Sequence, residues 1–332
     1  MDSAPDRLRR FRRLVNLTIA ATALLVVVGG IVRVSDSGLG CGTPGSGTEG
    51  WPLCGGRVIP LIQERAVVEF SHRLLASIVV VLIGLLVWHS LRRLREQRWL
   101  VRGSLAAAVL VLAQAGLGGL TVEKNLHDVL VAAHLGMAML LLGTLIALSW
   151  AARPEAQGRG GLAGERILAR LAVLATVLVL ATIVAGGYVA GTEEEGAVNG
   201  AGGGAHLACG DQFPNCNGEL FPFGRTRLVD IQLVHRGLML ATAIAVLGFV
   251  ALALRRGMRS RLLGVLVAIL AAQILLGAIN VWAGKHPGLV VAHLALGTTL
   301  WATMLVTSLQ LARAPAATPG TDGRADGAPA IA

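Results

Sequence analysis

Charged side chains are scarce in this sequence. They account for 14% of its residues, against roughly 25% in a typical soluble domain, while hydrophobic residues account for 54%. This balance excludes an ordinary soluble domain and favours an integral membrane protein, although length alone would suggest two soluble domains. Lysine is also nearly absent, with only Lys124 and Lys285 against many arginines. That usage indicates a GC-rich bacterium and therefore the plasma membrane.

The positive charge is spread along the chain. A net charge of +10 could attract nucleic acid, but the arginines lie at the ends of apolar runs and form no single basic face. We therefore expect no nucleic-acid partner. Runs of about 20 apolar residues span a bilayer, and they predict eight helices at 14–33, 67–89, 101–120, 128–150, 168–190, 229–253, 262–282 and 288–312.

Arginines precede the first helix and follow the second, fourth and sixth. By the positive-inside rule these regions are cytoplasmic, so we expect both termini in the cytoplasm. The first apolar run is too long for a secretory signal and lacks a convincing cleavage site. It therefore predicts an uncleaved helix.

The sequence contains an internal repeat. The stretch that begins at Gln114 returns 159 positions later at Gln273 without a gap, and the Gly29-Gly30 pair matches Gly186-Gly187. Duplication of this kind builds membrane folds around a pseudo-axis. We predict an all-α protein of two pseudo-symmetric four-helix bundles: an N-terminal half at 1–152, a cytoplasmic linker at 153–167, a C-terminal half at 168–313 and a disordered cytoplasmic tail at 314–332.

Four histidines lie near the starts of the even-numbered helices, at repeat-equivalent positions: His72, His134, His235 and His293. Ionisable residues inside a membrane are functional candidates by default, and we expect all four in one layer roughly 7–8 Å below the outer surface. Facing imidazoles without Cys, Asp or Glu at the same spacing favour a six-coordinate haem over a zinc or di-iron site.

Two arginines directly follow histidines of this layer. Arg73 and Arg236 could pair with haem propionates, or they could extend to the outer lipid headgroups.

The remaining histidines give weaker signals. His127 and His286 precede two of the layer histidines by seven residues and could contact propionates, substrate or interfacial water. His206 and His89 have no repeat partner, and we interpret both as structural.

The two halves differ at one informative position. Glu69 lies one turn before His72, whereas Gln232 stands at the equivalent place before His235. A carboxylate can transfer protons and a neutral amide cannot. We therefore predict chemistry in the first half and a resident cofactor in the second, with Glu69 as an unpaired acid; the alternative is a structural pair with Arg73.

All four cysteines fall in predicted outer loops, one pair in each half: Cys41 with Cys54, and Cys209 with Cys216. An oxidising exterior permits disulfides, which suggests one bridge within each loop. Zinc is the alternative, but neither spacing is CxxC. The acidic run at 193–195 is typical of a solvated loop tip.

The combined pattern resembles the heme A synthase family. The resemblance is carried by the stretch GG-x-V-R-V-S-x-S-G-L-x-C at Gly29 to Cys41, the motif E-x-x-H-R at Glu69 to Arg73, and the three other layer histidines. It implies oxidation of the C8 methyl of haem O, by two hydroxylations, to the formyl group of haem A.

The resemblance also implies which residues act. Haem b would be the cofactor of the C-terminal half, held by His235 and His293, while His72 and His134 would hold haem O beside the essential acid Glu69. Loop cysteine pairs occur in bacterial members of the family. The implied partners are haem O synthase, an electron carrier and the lipid bilayer, with a homo-oligomer possible. A di-haem electron carrier and a haem transporter remain the alternative functions.

Overall fold

A computed structural model describes residues 3–60, 62–153, 166–192 and 204–312. Within these ranges the chain forms eight long helices: α1 (Ala4–Val34), α2 (Glu64–Arg93), α3 (Arg98–Glu123), α4 (Asp128–Ala151), α5 (Arg166–Gly191), α6 (Arg227–Arg255), α7 (Arg261–Trp282) and α8 (Pro287–Ala312). The predicted tail, the acidic run at 193–195 and most of the predicted linker lie outside the described residues.

Every predicted helix is present, and most extend beyond their apolar run. The largest extension is in α1, which begins at Ala4 and not near residue 14. Ser3 caps this helix by accepting a hydrogen bond from the backbone N–H of Asp6, and arginine is a good helix former. A hydropathy pattern ends where charged residues begin, but the helical backbone continues through them.

The helices have the surface of a bundle that lies in lipid. All eight are long and apolar enough to cross a membrane. Large apolar side chains on their outer faces are exposed, including Val109, Leu112 and Ile244, each about two thirds accessible. Such a surface would be unfavourable in water. The chain is therefore a multi-pass membrane protein of the all-α class.

Helices α1, α4, α5 and α8 make most of the contacts between the first four helices and the last four. Helix α1 packs against α2, α4 and α8, and α5 packs against α6, α8 and α4. Helix α3 contacts α2 and α4, while α7 contacts α6 and α8. Polar side chains join these helices by the hydrogen bonds Ser149–Asn16, Thr176–Ser308 and Thr182–Thr242, of 2.6, 2.8 and 2.8 Å.

The loops divide between two ends of the bundle. One end, called here the disulfide end, carries the short turns 124–127 and 283–286 and the described parts of two longer loops, 35–60 with 62–63 and 204–226. Both predicted disulfides are present there, Cys41–Cys54 and Cys209–Cys216. All four layer histidines lie within the first nine residues of helices that begin at this end.

Candidate functional site

A cavity of about 550 Å³ opens within the bundle, and each of the eight helices contributes to its lining. Most of the lining is apolar. The exceptions include the layer histidines His72, His134, His235 and His293, all of which face this cavity. The four histidines that we singled out in the sequence therefore line the same cavity.

The four histidines form two pairs, one in each half. His134 is close enough to His72 for the two rings to interact electrostatically, and His293 stands in the same relation to His235. Each pair joins the second and fourth helices of its half. This is the pairing expected from the repeat.

A glycine on the preceding helix packs against each histidine ring. A Cβ atom added to Gly29, Gly118, Gly186 or Gly277 would lie between 2.9 and 3.2 Å from the ring of His72, His134, His235 or His293, respectively. Few real Cβ contacts are that short. The four Gly–His contacts occupy repeat-equivalent positions, so each helical hairpin sets its imidazole by the same close approach.

The second glycine of each Gly-Gly pair makes a contact between the halves. A Cβ at Gly30 would lie 2.8 Å from a Leu294 methyl on α8, and one at Gly187 would lie 2.9 Å from a Leu135 methyl on α4. Each leucine directly follows a layer histidine. In each Gly-Gly pair, the first glycine allows close contact with a histidine of the same half. The second allows close contact with a helix of the other half.

The chemistry of the donor set fits haem. Among the described residues, no group of three or more His, Cys, Asp or Glu side chains is arranged to hold a metal ion. Haem iron needs only two protein ligands. The Nδ1 atoms of His134 and His293 are buried without a hydrogen-bond partner, while His235 Nδ1 lies 3.1 Å from the carbonyl of Thr182.

One side chain already contacts an iron-ligand candidate atom. The amide nitrogen of Gln273 lies 3.2 Å from Nε2 of His293, whereas its counterpart Gln114 donates instead to the carbonyl of His134. The two sites therefore differ beside the histidine of their fourth helix.

Glu69 is buried and lines the cavity, but it is not unpaired. Its Oε1 accepts a hydrogen bond from the Arg73 guanidinium, and its Oε2 accepts one from the backbone N–H of Cys41 at 2.7 Å. The expectation of an unpaired acid was therefore wrong, because Arg73 lies four residues later on the same helix face. The counterpart Gln232 is equally buried, and its Oε1 lacks a hydrogen-bond partner.

Arg73 also binds the first disulfide loop. Its Nη1 donates to the carbonyls of Gly50 and Leu53, at 2.7 and 2.8 Å. These two carbonyls flank the cavity-lining Trp51 and Pro52. One guanidinium thus connects the acid of the site to the loop above it.

Arg236 binds the second disulfide loop at equivalent atoms. It donates to the carbonyls of Gln212, Pro214 and Asn215, at 3.0, 3.3 and 2.9 Å, and its guanidinium lies 5.5 Å from the ring centre of Phe213. Both arginines therefore use their donors on loop carbonyls. Binding of either to a propionate stays a prediction.

The histidines outside the layer have separate surroundings. His127 is largely exposed, and its Nδ1 lies 2.9 Å from the carboxylate of Asp128. His286 is exposed at the start of α8, and the ring of His89 packs 5.9 Å from that of Phe11 near the opposite end. His206, for which we expected a structural role, lines the cavity.

Three further cavity or interface residues escaped the sequence analysis. Arg33 on α1 lines the cavity and donates from Nε to the carbonyl of Ala190 on α5, at 2.8 Å. Lys285 also lines the cavity. Asp128 of α4 is buried and forms an ion pair with Arg227 of α6, which joins the halves at the disulfide end. These three charged residues lie at or next to helix ends, where charged side chains are common, so nothing in the sequence distinguished them.

The chain resembles a described family and several curated proteins. The family model COX15-CtaA, described as a cytochrome oxidase assembly protein, matches residues 12–305. A heme A synthase of Shouchella clausii is 29% identical over 71% of this chain and 73% of its own length. The heme A synthases of Alkalihalophilus pseudofirmus and Symbiobacterium thermophilum are 27% and 32% identical, over 62% and 63% of this chain. The chain spans 64% and 65% of those two relatives, slightly less than two thirds.

Proposed function

The chain belongs to the COX15-CtaA family of cytochrome oxidase assembly proteins, and from that membership we propose that it is a heme A synthase, which converts haem O to haem A. Its curated relatives carry that name. The observation that supports the proposal most directly is the set of two histidine pairs around one cavity, with a carboxylate beside only one of them. An electron carrier with two equivalent haems has no use for that difference.

The reaction that we propose is an oxidation at a C–H group. The C8 methyl of haem O is hydroxylated to an alcohol, the alcohol carbon is hydroxylated again, and the resulting hydrate loses water to give the formyl group. Written with water as the oxygen donor, each hydroxylation breaks a C–H bond, forms a C–O bond and releases two protons and two electrons, and the electrons pass to an external electron carrier. The protein must therefore hold haem O firmly and accept protons near the methyl.

We assign substrate binding to the N-terminal half. His72 and His134 both line the cavity and would supply the two ligands to the iron of haem O. Glu69 lies one turn from His72 and faces the same cavity. Arg73 and the N–H of Cys41 hold its two oxygens, so the carboxylate has a fixed position from which it can accept a proton.

We assign the resident cofactor, haem b, to the C-terminal half. His235 and His293 would ligate it, with their rings held by Gly186 and Gly277. Haem b bound there supplies one-electron redox capacity. Gln232 cannot exchange protons as a carboxylate does, which suits a site that holds a cofactor rather than one that transforms a substrate.

The proposal includes the arrangement in the membrane. The contacts of α1 with α2, α4 and α8 correspond to those of α5 with α6, α8 and α4, as two bundles related by a pseudo-twofold axis require. Arginine-rich ends opposite the disulfide end support cytoplasmic termini and disulfides that face the oxidising side. The site then lies near the outer surface of the plasma membrane.

Haem analysis tests the function. The protein is expressed in membranes of a host that makes haem O but no haem A, and extracted haems are separated by chromatography. We expect haem A to appear with the wild-type chain and not with an empty vector. Two equivalents of haem b in the purified protein, with no haem O or haem A, would instead favour an electron carrier.

Histidine variants test the assignment of halves. Replacing His235 or His293 with Ala should remove the low-spin haem b spectrum, whereas the same change at His72 or His134 should leave that spectrum and stop haem A formation. A complete haem b spectrum in both C-terminal variants would reverse the assignment.

A further inference from the structure

The two sites differ in charge at their disulfide ends. In the first half, Gly38 packs against Leu126: a Cβ at Gly38 would lie 3.0 Å from a Leu126 methyl. In the second half, His206 lies close enough to Lys285 to feel its charge. All four residues line the cavity.

These two pairs occupy equivalent positions. Leu126 and Lys285 are separated by the 159-residue repeat, and both adopt a positive φ, 54° and 67°, in the turn before a helix. Gly38 and His206 each stand three residues before the first cysteine of a disulfide, in the segments GLGC and HLAC. An apolar pair in one half is thus a basic pair in the other.

A third basic residue adds to the second site. Arg33 lines the cavity and is close enough to His206 to influence it, while its repeat counterpart is Ala190. The imidazole of His206 also senses His235 and His293. At three pairs of repeat-equivalent positions, one residue is basic and the other is not. In each case the basic residue is the one near the second histidine pair.

The surroundings of His206 agree with this clustering. Burial lowers the pKa of the His206 imidazole to about 3, and the charges of Lys285 and Arg33 add to the effect. A neutral imidazole still donates one N–H, and the lysine and arginine donate with full charge. Together they offer several donors at one end of the cavity.

We propose that His206, Lys285 and Arg33 form a carboxylate-binding site that holds the propionates of the tetrapyrrole in the C-terminal half. The inference rests on the proposed function. Charge-assisted hydrogen bonds to carboxylates are the strong ones, so this site slows dissociation of the resident haem. Gly38 and Leu126 provide no such donors, which leaves the first site able to exchange substrate for product.

The test measures haem dissociation and uses no activity. The double variant His206→Gly/Lys285→Leu gives the second site the residue pair of the first. Ferric haem and haem dimethyl ester, in which both propionates are blocked, are each bound to the purified protein. Excess apomyoglobin then captures the released haem, and the spectrum of His-ligated haem reports occupancy of the site.

Two single variants serve as controls. Lys285→Arg keeps the charge at the proposed site. Lys124→Leu removes the other lysine of the chain, which is exposed in the equivalent region of the first half and does not line the cavity. Lys124→Leu should release haem at the wild-type rate, and Lys285→Arg should release it more slowly than the double variant does.

We expect the wild-type protein to release haem dimethyl ester on the order of ten- to a hundredfold faster than haem, because it lacks the charged acceptors. The double variant should release both at similar, fast rates while its bound haem stays low-spin. Equal rates for haem and ester in the wild-type protein would overturn the inference, and that comparison does not depend on how any variant folds.

Two other outcomes are separable. If the wild-type protein retains phosphatidylglycerol that the double variant loses, while haem release is unchanged, the cluster binds lipid headgroups and the inference is wrong. If the wild-type protein binds no His-ligated haem at all, the proposed function fails with it. Haem that is bound and released without regard to its propionates contradicts only the present inference.

Discussion

The substitution Glu69→Gln tests the chemistry most directly, because the chain already contains its own reference. Gln232 occupies the equivalent position in the second half and is buried to the same degree. The variant therefore gives the two halves the same residue at this position. The size of the side chain is kept, but the negative charge is lost and one of the two acceptor oxygens is replaced by an NH2 group.

The contacts of Glu69 indicate that the variant will fold. The amide oxygen of the new side chain can accept the hydrogen bond from the N–H of Cys41. Arg73 loses its charged partner but keeps the carbonyls of Gly50 and Leu53. The hydrogen bond from Arg73 is lost and the one from Cys41 becomes a bond to a neutral acceptor, which should lower the free energy of unfolding by about 1–3 kcal/mol.

The effect on the reaction should be much larger. Loss of a general acid or base lowers rates on the order of 10²- to 10⁴-fold. We expect Glu69→Gln to keep haem b yet accumulate haem O or the singly hydroxylated haem. Extracted haems are quantified by chromatography at matched protein level, with Gln232→Glu as the control that adds a carboxylate to the other half and should still produce haem A.

One result would refute this reasoning. If Glu69→Gln forms haem A at the wild-type rate, then Glu69 only positions Arg73 and the Cys41 loop, and the proton acceptor lies elsewhere.

Three further predictions address the haem site, the loops and the contact between halves. Gly277→Ala places a Cβ 2.9 Å from the His293 ring and should shift the reduction potential and the electron paramagnetic resonance signal of haem b. The control Gly264→Ala, on the same helix, adds a Cβ that meets nothing within 4 Å and should leave both properties unchanged. The Cys209–Cys216 bridge should stabilise the fold by about 2.5 kcal/mol on the chain-entropy model, so the melting temperature should fall on reduction; an unchanged value would exclude that contribution. Asp128→Asn removes the charge of a buried partner from the ion pair between α4 and α6, and because the arginine side is half exposed we expect a loss of only about 1–2 kcal/mol in thermal unfolding.

The helices and the histidine layer could be predicted from the sequence because both follow from periodic, gap-free patterns. Apolar runs of bilayer length determine the spans, and the 159-residue repeat aligns His134 with His293 without ambiguity. The cysteine pairs were also predictable, since each loop contains only two. These features depend on local composition and on counting.

The contacts of the loops could not be predicted in the same way. The first disulfide encloses a separation of 13 residues and the second only 7, so a single offset cannot align both ends of the loops. That difference concealed the equivalence of His206 and Gly38. Likewise, Arg73 follows His72 whether it binds a propionate, a headgroup or a loop carbonyl, and only the fold shows the carbonyls of Gly50 and Leu53 within reach.

The hydrogen bond from Arg33 to the carbonyl of Ala190 joins a residue to its own repeat counterpart, 157 positions away. If two identical half-length chains assembled as a homodimer, one codon would specify both places. Two arginines would then bring like charges to each other, and two alanines would leave the helix carbonyls without this donor. Duplication and fusion into one chain allow the two copies to diverge, so that a single gene encodes an arginine and its acceptor, and a heterodimer-like active centre needs no second subunit to be recruited.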